Sequence, residues 1–175
     1  MKYGTIKNKL VSSIVAAALA PAIALGAFYF GAEGVVQAAG AKANCQVHAV
    51  LASKEGEGKL PKSLEFLRTT LEDDQFAAYK SFHLVDKKTL KLVGSKTGNA
   101  QFNSGHKLGL TLLEGDANPK LKLRLELSGR DGESNLLKTD YSIEDNGLVM
   151  IAAGKHTHAD VDGKLFFAIQ CASKG

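Results

Sequence analysis

His156, His158, Asp160 and Asp162 occupy alternate positions near the end of the chain. On an extended strand alternate residues project to one side, so this row would aim two imidazoles and two carboxylates at one point. Imidazole with carboxylate suits zinc or copper, and His156, His158 and Asp160 are the candidate metal ligands. A metal held there would activate water for hydrolysis. The row also adjoins Asp162-Gly163, a turn signal, and beside a turn a solvated polar edge is the plainer expectation.

Other catalytic chemistry finds little support. There is no Gly-x-Ser-x-Gly, and Ser104-Gly105-His106 reads as a turn. Nucleophilic catalysis needs a placed nucleophile, a base and an oxyanion site. Asp73-Asp74 reads as the solvated end of a helix, since a glycosidase pair comes from separated positions across a cleft. Gly56-x-Gly58 lacks the Lys-Ser/Thr of a phosphate loop. His48 is expected on an outward strand face, His83 near an aromatic segment and His106 in a turn, each as a surface or satisfied residue and not a ligand. No catalytic residue and no cofactor is assigned. The His156 spacing resembles the start of the His-x-His-x-Asp-His element of metallo-β-lactamase-like hydrolases. Val161 stands where that element has its next histidine, and the α/β pattern of that family is missing.

Binding is the better-supported chemistry. The chain has no Trp, the best platform for sugar rings, but Tyr79, Tyr141 and Phe166 are available. Phe166 shares an outward face with Lys164 and Gln170, and Val50 would neighbour it on the adjoining strand. Val50, Phe166 and Tyr79 are therefore the candidate binding residues, as a small exposed apolar patch. The competing expectation is that a helix around Leu64, Leu67 and Leu71 covers this face.

Those residues must be carried by strands. Cys45, Val47, Ala49 and Leu51 alternate with Gln46, His48 and Val50, the period of a half-buried strand. Pro61 and Ser63 open a short helix near residues 62–72 with Leu64, Leu67 and Leu71 on one face. Tyr79–Val85 has no clear orientation. Short strands are expected near Thr89–Val93 and Ala100–Phe102, with a turn over Gly94–Asn99. Leu108, Leu110 and Leu112 point one way. Leu121, Leu123, Leu125 and Leu127 alternate with Lys122, Arg124 and Glu126, the strongest strand signal in the chain. Leu137–Ile143, Leu148–Ala153 and Leu165–Cys171 follow. Asn146-Gly147 and Asp162-Gly163 mark tight hairpins. Gly115-Asp116 with Pro119, and Gly129 with Asp131-Gly132, serve the earlier connections. Five consecutive hairpin-linked strands predict a mainly β fold: an antiparallel sandwich or flattened meander barrel of about eight strands with one short α-helix.

Cys45 and Cys171 are the two cysteines, one near each end of this region and both on apolar faces. They predict one disulfide tying the first strand to the last, which would close a barrel or seam a sandwich. The N-terminus explains the oxidising compartment. Lys2, Lys7 and Lys9 precede an uncharged run from Val11 to Ala32, with small residues ending at Ala38, Ala41 or Ala43. This is the order of a secretory signal. Residues 1–38 are expected to be a signal peptide, or alternatively an uncleaved anchor, because 22 apolar residues can span a bilayer. Pro21, Gly26 and Gly31 weaken the anchor reading. Residues 39–175 form the single disulfide-stapled domain, of periplasmic or secreted location. Removing Lys2, Lys7, Lys9 and Glu33 leaves 19 basic and 17 acidic residues. The charges are interspersed, so nucleic acid is not an expected partner. Lys80, Lys87, Lys88, Lys91 and Lys96 read as a solvated face. The membrane is expected only through an uncleaved N-terminal segment.

The strand from Cys45, the short helix and Phe76-x-x-Tyr79-x-Ser81-Phe82 together resemble a group of exported β-rich proteins of Gram-negative bacteria, over most of residues 45–171. The resembling residues are aromatic and aliphatic, so the resemblance implies shared packing and transfers no activity. The expected function is a non-catalytic binding or envelope-assembly accessory, recognising a protein or envelope component through a sheet edge or the Phe166–Val50 face. A metal-dependent hydrolase at His156–Asp162 and a small apolar-ligand carrier inside a closed barrel are the alternatives.

Overall fold

The computed structural model describes residues 42–113, 120–132 and 134–174. The expected export segment lies outside the described residues, as does the connection through Gly115, Asp116 and Pro119. Eight strands form: β1 (Lys42–Ser53), β2 (Ser81–Val93), β3 (Thr97–Gln101), β4 (Lys107–Leu112), β5 (Lys120–Ser128), β6 (Asn135–Glu144), β7 (Leu148–His158) and β8 (Val161–Lys174). They make two antiparallel four-stranded sheets, ordered β2-β1-β8-β7 and β3-β4-β5-β6. This is the expected mainly β, sandwich-like architecture. The sheets do not close into a barrel; each keeps two edge strands.

The leucine alternation explains the second sheet. Leu108, Leu110 and Leu112 on β4 and Leu123, Leu125 and Leu127 on β5 are buried. They meet Cys45, Val47, Ala49 and Leu51 of β1 and Leu165, Phe167 and Ile169 of β8 in one core between the sheets. Burying each large side chain stabilises the fold by about 1.5–3 kcal/mol relative to leaving it in water. The outward residues pair across β5 and β6: Arg124 bonds Asp140 at 2.8 and 2.9 Å, and Lys138 meets Glu126 at 2.6 Å.

Cys45 stands directly opposite Cys171 on β1 and β8. Their Cα atoms are 4.0 Å apart and the disulfide is formed. The first and last strands are thus tied as expected, but the bond staples neighbours within one sheet. It neither closes a barrel nor seams the two sheets.

Several expected elements are corrected. Of the expected stretches, Ser81–Val85 and Thr89–Val93 belong to one long strand, β2, which Tyr79 precedes and whose register against β1 shifts between Ala49 and Val50. A bulge adds one residue to one strand and so exchanges the faces on either side of it. Leu90 and Leu92 face the inter-sheet core before it, whereas Phe82 and Leu84 face away from that core beyond it. No single alternation could describe that strand. The third strand occupies Thr97–Gln101 instead of Ala100–Phe102. The Asn146-Gly147 turn is not a hairpin. Gly147 N–H donates to the Glu144 carbonyl at 2.8 Å, but the turn carries the chain from β6 in one sheet to β7 in the other. The meander therefore covers four strands, β3 to β6, before the chain crosses over. Asp145 clamps the crossing by accepting from Ser173 N–H at 2.6 Å, and Asn146 N–H donates to the Cys171 carbonyl at 2.9 Å.

The helical segment runs as a 3-10 turn, Lys62–Leu67, into one α-turn, Arg68–Leu71. Leu64 and Leu67 are buried against Val50 and Ala168, on the face of the first sheet turned away from the second. This cover corrects the expected position of His48. It is 3 % exposed, its ring centroid lies 4.5 Å from that of Phe66, and its Nδ1 has no hydrogen-bond partner. Burial, with the neighbouring Lys87 ammonium, lowers its pKa from 6.5 to about 4. The folded state therefore holds His48 neutral, and protonation favours unfolding. Its stability contribution is complete above pH 6.5 and is lost as pH falls from 6.5 through 4, by up to about 3 kcal/mol. Urea titrations at pH 7 and pH 4 should show that loss, and His48→Leu should show less of it. An equal pH dependence in the two proteins would exclude His48 as its source.

Candidate functional site

At one end of the first sheet a cleft of about 830 Å³ opens between the last residues of β1, the start of β8 and the end of β7. Its walls include Lys54, Tyr79, Arg130, Lys155, His156 and Lys164. Four local features build it.

The first is a bulge in β7, where register against β8 shifts between Ala152 and Gly154. Gly154 has φ of +103°, a conformation that residues with a Cβ rarely adopt. Before the bulge Val149 and Ile151 face the inter-sheet core. Beyond it the faces exchange, so His156 turns toward His106 while Lys155 turns toward Lys164 on the opposite face. The second feature is His106, which follows the expected turn and is a buried, hydrogen-bonded residue, the satisfied one of the two expected forms. Its ring lies 5.8 Å from Phe167, and its Nδ1 is 3.1 Å from Ser104 Oγ. Burial and the Arg130 charge lower its pKa, opposed by hydrogen bonds with the Ser104 and Ala153 backbone. The bond to Ala153 holds the bulge residue itself.

The third is Arg130, in the β5–β6 turn. Gly132 N–H closes that turn on the Gly129 carbonyl at 3.0 Å, and Asp131 accepts from Ser134 N–H at 3.0 Å. The Arg130 stem passes over Gly105, where an added Cβ would stand 3.4 Å from its own Cβ. Its Nη2 donates to the Lys155 carbonyl at 2.8 Å and lies 2.7 Å from His156 Nδ1. A guanidinium has no acceptor, so His156 Nδ1 accepts and the proton sits on Nε2. Burial, then Arg130, His106 and His158, lower the His156 pKa. The fourth is Gly163, where an added Cβ would collide with the Ala52 carbonyl, so β1 and β8 can approach closely at the cleft floor.

The metal row is corrected by its turn. Ala159 and Asp160 carry positive φ of 48° and 62°, and His158 pairs with Val161. The hairpin is therefore Ala159-Asp160, not Asp162-Gly163. Asp160 lies in the turn, and Asp162 returns on β8, where it accepts from Thr157 Oγ1. His156 keeps its lone pair on Arg130. The four residues therefore do not continue one strand face, and among the described residues no three His, Cys, Asp or Glu side chains are placed to hold a metal.

The apolar candidates are also placed differently. Val50 is 0 % and Phe166 8 % exposed. Val50 lies under Leu64 and Leu67, and Phe166 packs edge-on against Phe76 and Tyr79 at 5.3 and 5.9 Å. The segment expected as the competing cover does cover this face, so the exposed patch does not form. Tyr79 alone of the three remains half-buried at the cleft wall. Sequence reasoning passed over Lys54, Arg130 and Lys155. Two glycines flanking Arg130 one and two residues away were read only as a turn.

No family profile, no curated protein and no solved structure matches the chain. Among the described residues no helix is long and apolar enough to cross a membrane.

Proposed function

We propose that the chain is an exported, non-catalytic binding or envelope-assembly accessory protein, periplasmic or secreted, that engages its partner at the cleft on the β7 edge. The observation that carries this reading is the cleft itself. Its 830 Å³ falls in the range of ligand sites. It is assembled from five separate chain segments around a bulge, a device common beside functional sites. The Cys45–Cys171 disulfide suits an oxidising compartment, and the charged, apolar and small-residue order of residues 1–38 supplies an export signal. The resemblance to exported proteins of Gram-negative bacteria agrees with that placement.

The alternatives have weaker support. A hydrolase would need its metal donors brought together, and the Ala159-Asp160 turn separates them. A carrier would need a chamber between the sheets, where Phe102, Phe167 and the buried leucines pack instead.

A photo-crosslinking amino acid at Lys54 or Lys155, introduced in the envelope-producing cell, tests the reading. A defined adduct is expected from these positions and not from Asn99 on β3. Equal labelling from Asn99 would remove the cleft as the recognition surface. The mass of the mature protein, measured on the same material, should begin after Ala38, Ala41 or Ala43 and lack two hydrogens at the cysteines.

A further inference from the structure

Lys155 and Lys164 stand directly opposite each other on β7 and β8. Like charges in that position destabilise an antiparallel pair. Both are exposed, and among the described residues neither makes an ion pair with a carboxylate. Lys164 leans over the Phe166 ring, its Nζ 5.5 Å from the centroid. Arg130 is fixed through one nitrogen to the Lys155 carbonyl and His156, which leaves other guanidinium N–H donors for a ligand. Lys54 lines the same cleft. The acidic side chains in the lining are Glu55 and Asp162, and Asp162 is engaged by Thr157. His156 adds a neutral Nε2–H donor. The cleft thus gathers four cations and two acids, holds one cation rigidly, and tolerates a repulsive pair.

Tyr79 supplies the second half of the argument. Its ring is held by Phe76, Phe82 and Phe166 at 5.9–6.5 Å, yet it stays partly exposed in the cleft wall. A fixed aromatic ring with a hydroxyl suits the apolar face and hydroxyls of a sugar. Resting on the binding reading above, we infer that the cleft takes an acidic saccharide, its carboxylate or phosphate ester held by Lys155 and Lys164 and its ring placed against Tyr79, on the same face of the sheet. The anion would relieve the lysine repulsion that the free protein carries.

Calorimetric titration of the protein as the cell makes it tests this with four probes: digalacturonate, glucose 6-phosphate, inorganic phosphate and neutral maltose. At least one acidic sugar should bind ten times more tightly than maltose, and more tightly than inorganic phosphate. The stronger of the two acidic sugars identifies carboxylate or phosphate as the anion. Lys155→Ser with Lys164→Thr should weaken that binding at least tenfold. Lys164→Glu should abolish it while raising the thermal midpoint, because it replaces a repulsive pair with an attractive one. Tyr79→Ser should weaken acidic-sugar binding and leave inorganic phosphate unchanged. Maltose binding as well as the acidic sugars would overturn the anion assignment and leave the cleft reading standing. Inorganic phosphate binding as tightly as the phosphosugar, with digalacturonate not bound, would overturn the saccharide. Binding by none of the four would overturn the inference, while adducts from Lys54 or Lys155 would still support the proposed function.

Discussion

Replacing Cys45 and Cys171 together with alanine should cost this domain about 5 kcal/mol. The disulfide joins positions 126 residues apart, and in the chain-entropy account a loop of that length restricts the unfolded chain by roughly that amount. Domains of this size are stable by about 5–15 kcal/mol, so the variant should lie near the edge of folding at 37 °C. Urea denaturation of the oxidised protein and the double variant measures the difference. The folded topology should survive in the variant at low temperature, because β1 pairs with β8 along most of its length without help from the bond. A loss under 1 kcal/mol would mean that the ends of the unfolded chain are held together by something besides the bond.

Phe167→Ala should cost about 3–5 kcal/mol, the usual range for emptying a buried aromatic site. Phe167 is fully buried on β8, with its ring 4.8 Å from Phe102 and 5.8 Å from His106. The cavity would form between the sheets, where neither backbone can move in far without breaking strand pairing. Phe167→Leu should recover most of the loss by refilling the volume. The alanine variant should also loosen His106, and through it the Ala153 bulge and His156. A fall in acidic-sugar affinity beyond that of a distant core variant such as Leu125→Ala would register that connection. Equal affinities in the two variants would separate the core from the cleft.

Much of the scaffold was legible because its signals are local. Period-two alternation gave β4, β5, β6 and the inner face of β1. The cysteine positions on the apolar faces of the first and last strands gave their pairing. The cover over Val50 was foreseeable from Leu64, Leu67 and Leu71, but alternation alone put Phe166 and His48 outside. A strand's two faces look alike in sequence when a second layer buries the outer one, and His48, Val50 and Ala52 show this.

The site was much less legible. The His156–Asp162 row looked like one strand face because a uniform alternation was extended through it. Two backbone events decide where those residues point: the register shift at Ala153, ahead of the row, and the positive-φ pair Ala159-Asp160 within it. The first turns Lys155 to Lys164 and His156 to His106, and the second takes Asp160 off the strand. Arg130 enters from another sheet through a turn whose composition says only that it is a turn.

The sequence by itself determined the inward faces of β1, β4, β5 and β6, the disulfide partners and the short helical segment, since each follows from residue type and spacing within one element. Tertiary structure alone decided the sheet assignment of β6 and β7, the bulges in β2 and β7 and the cationic cleft. A bulge or a sheet crossing is fixed by the hydrogen-bonding partner across the gap, and that partner lies far away in the chain.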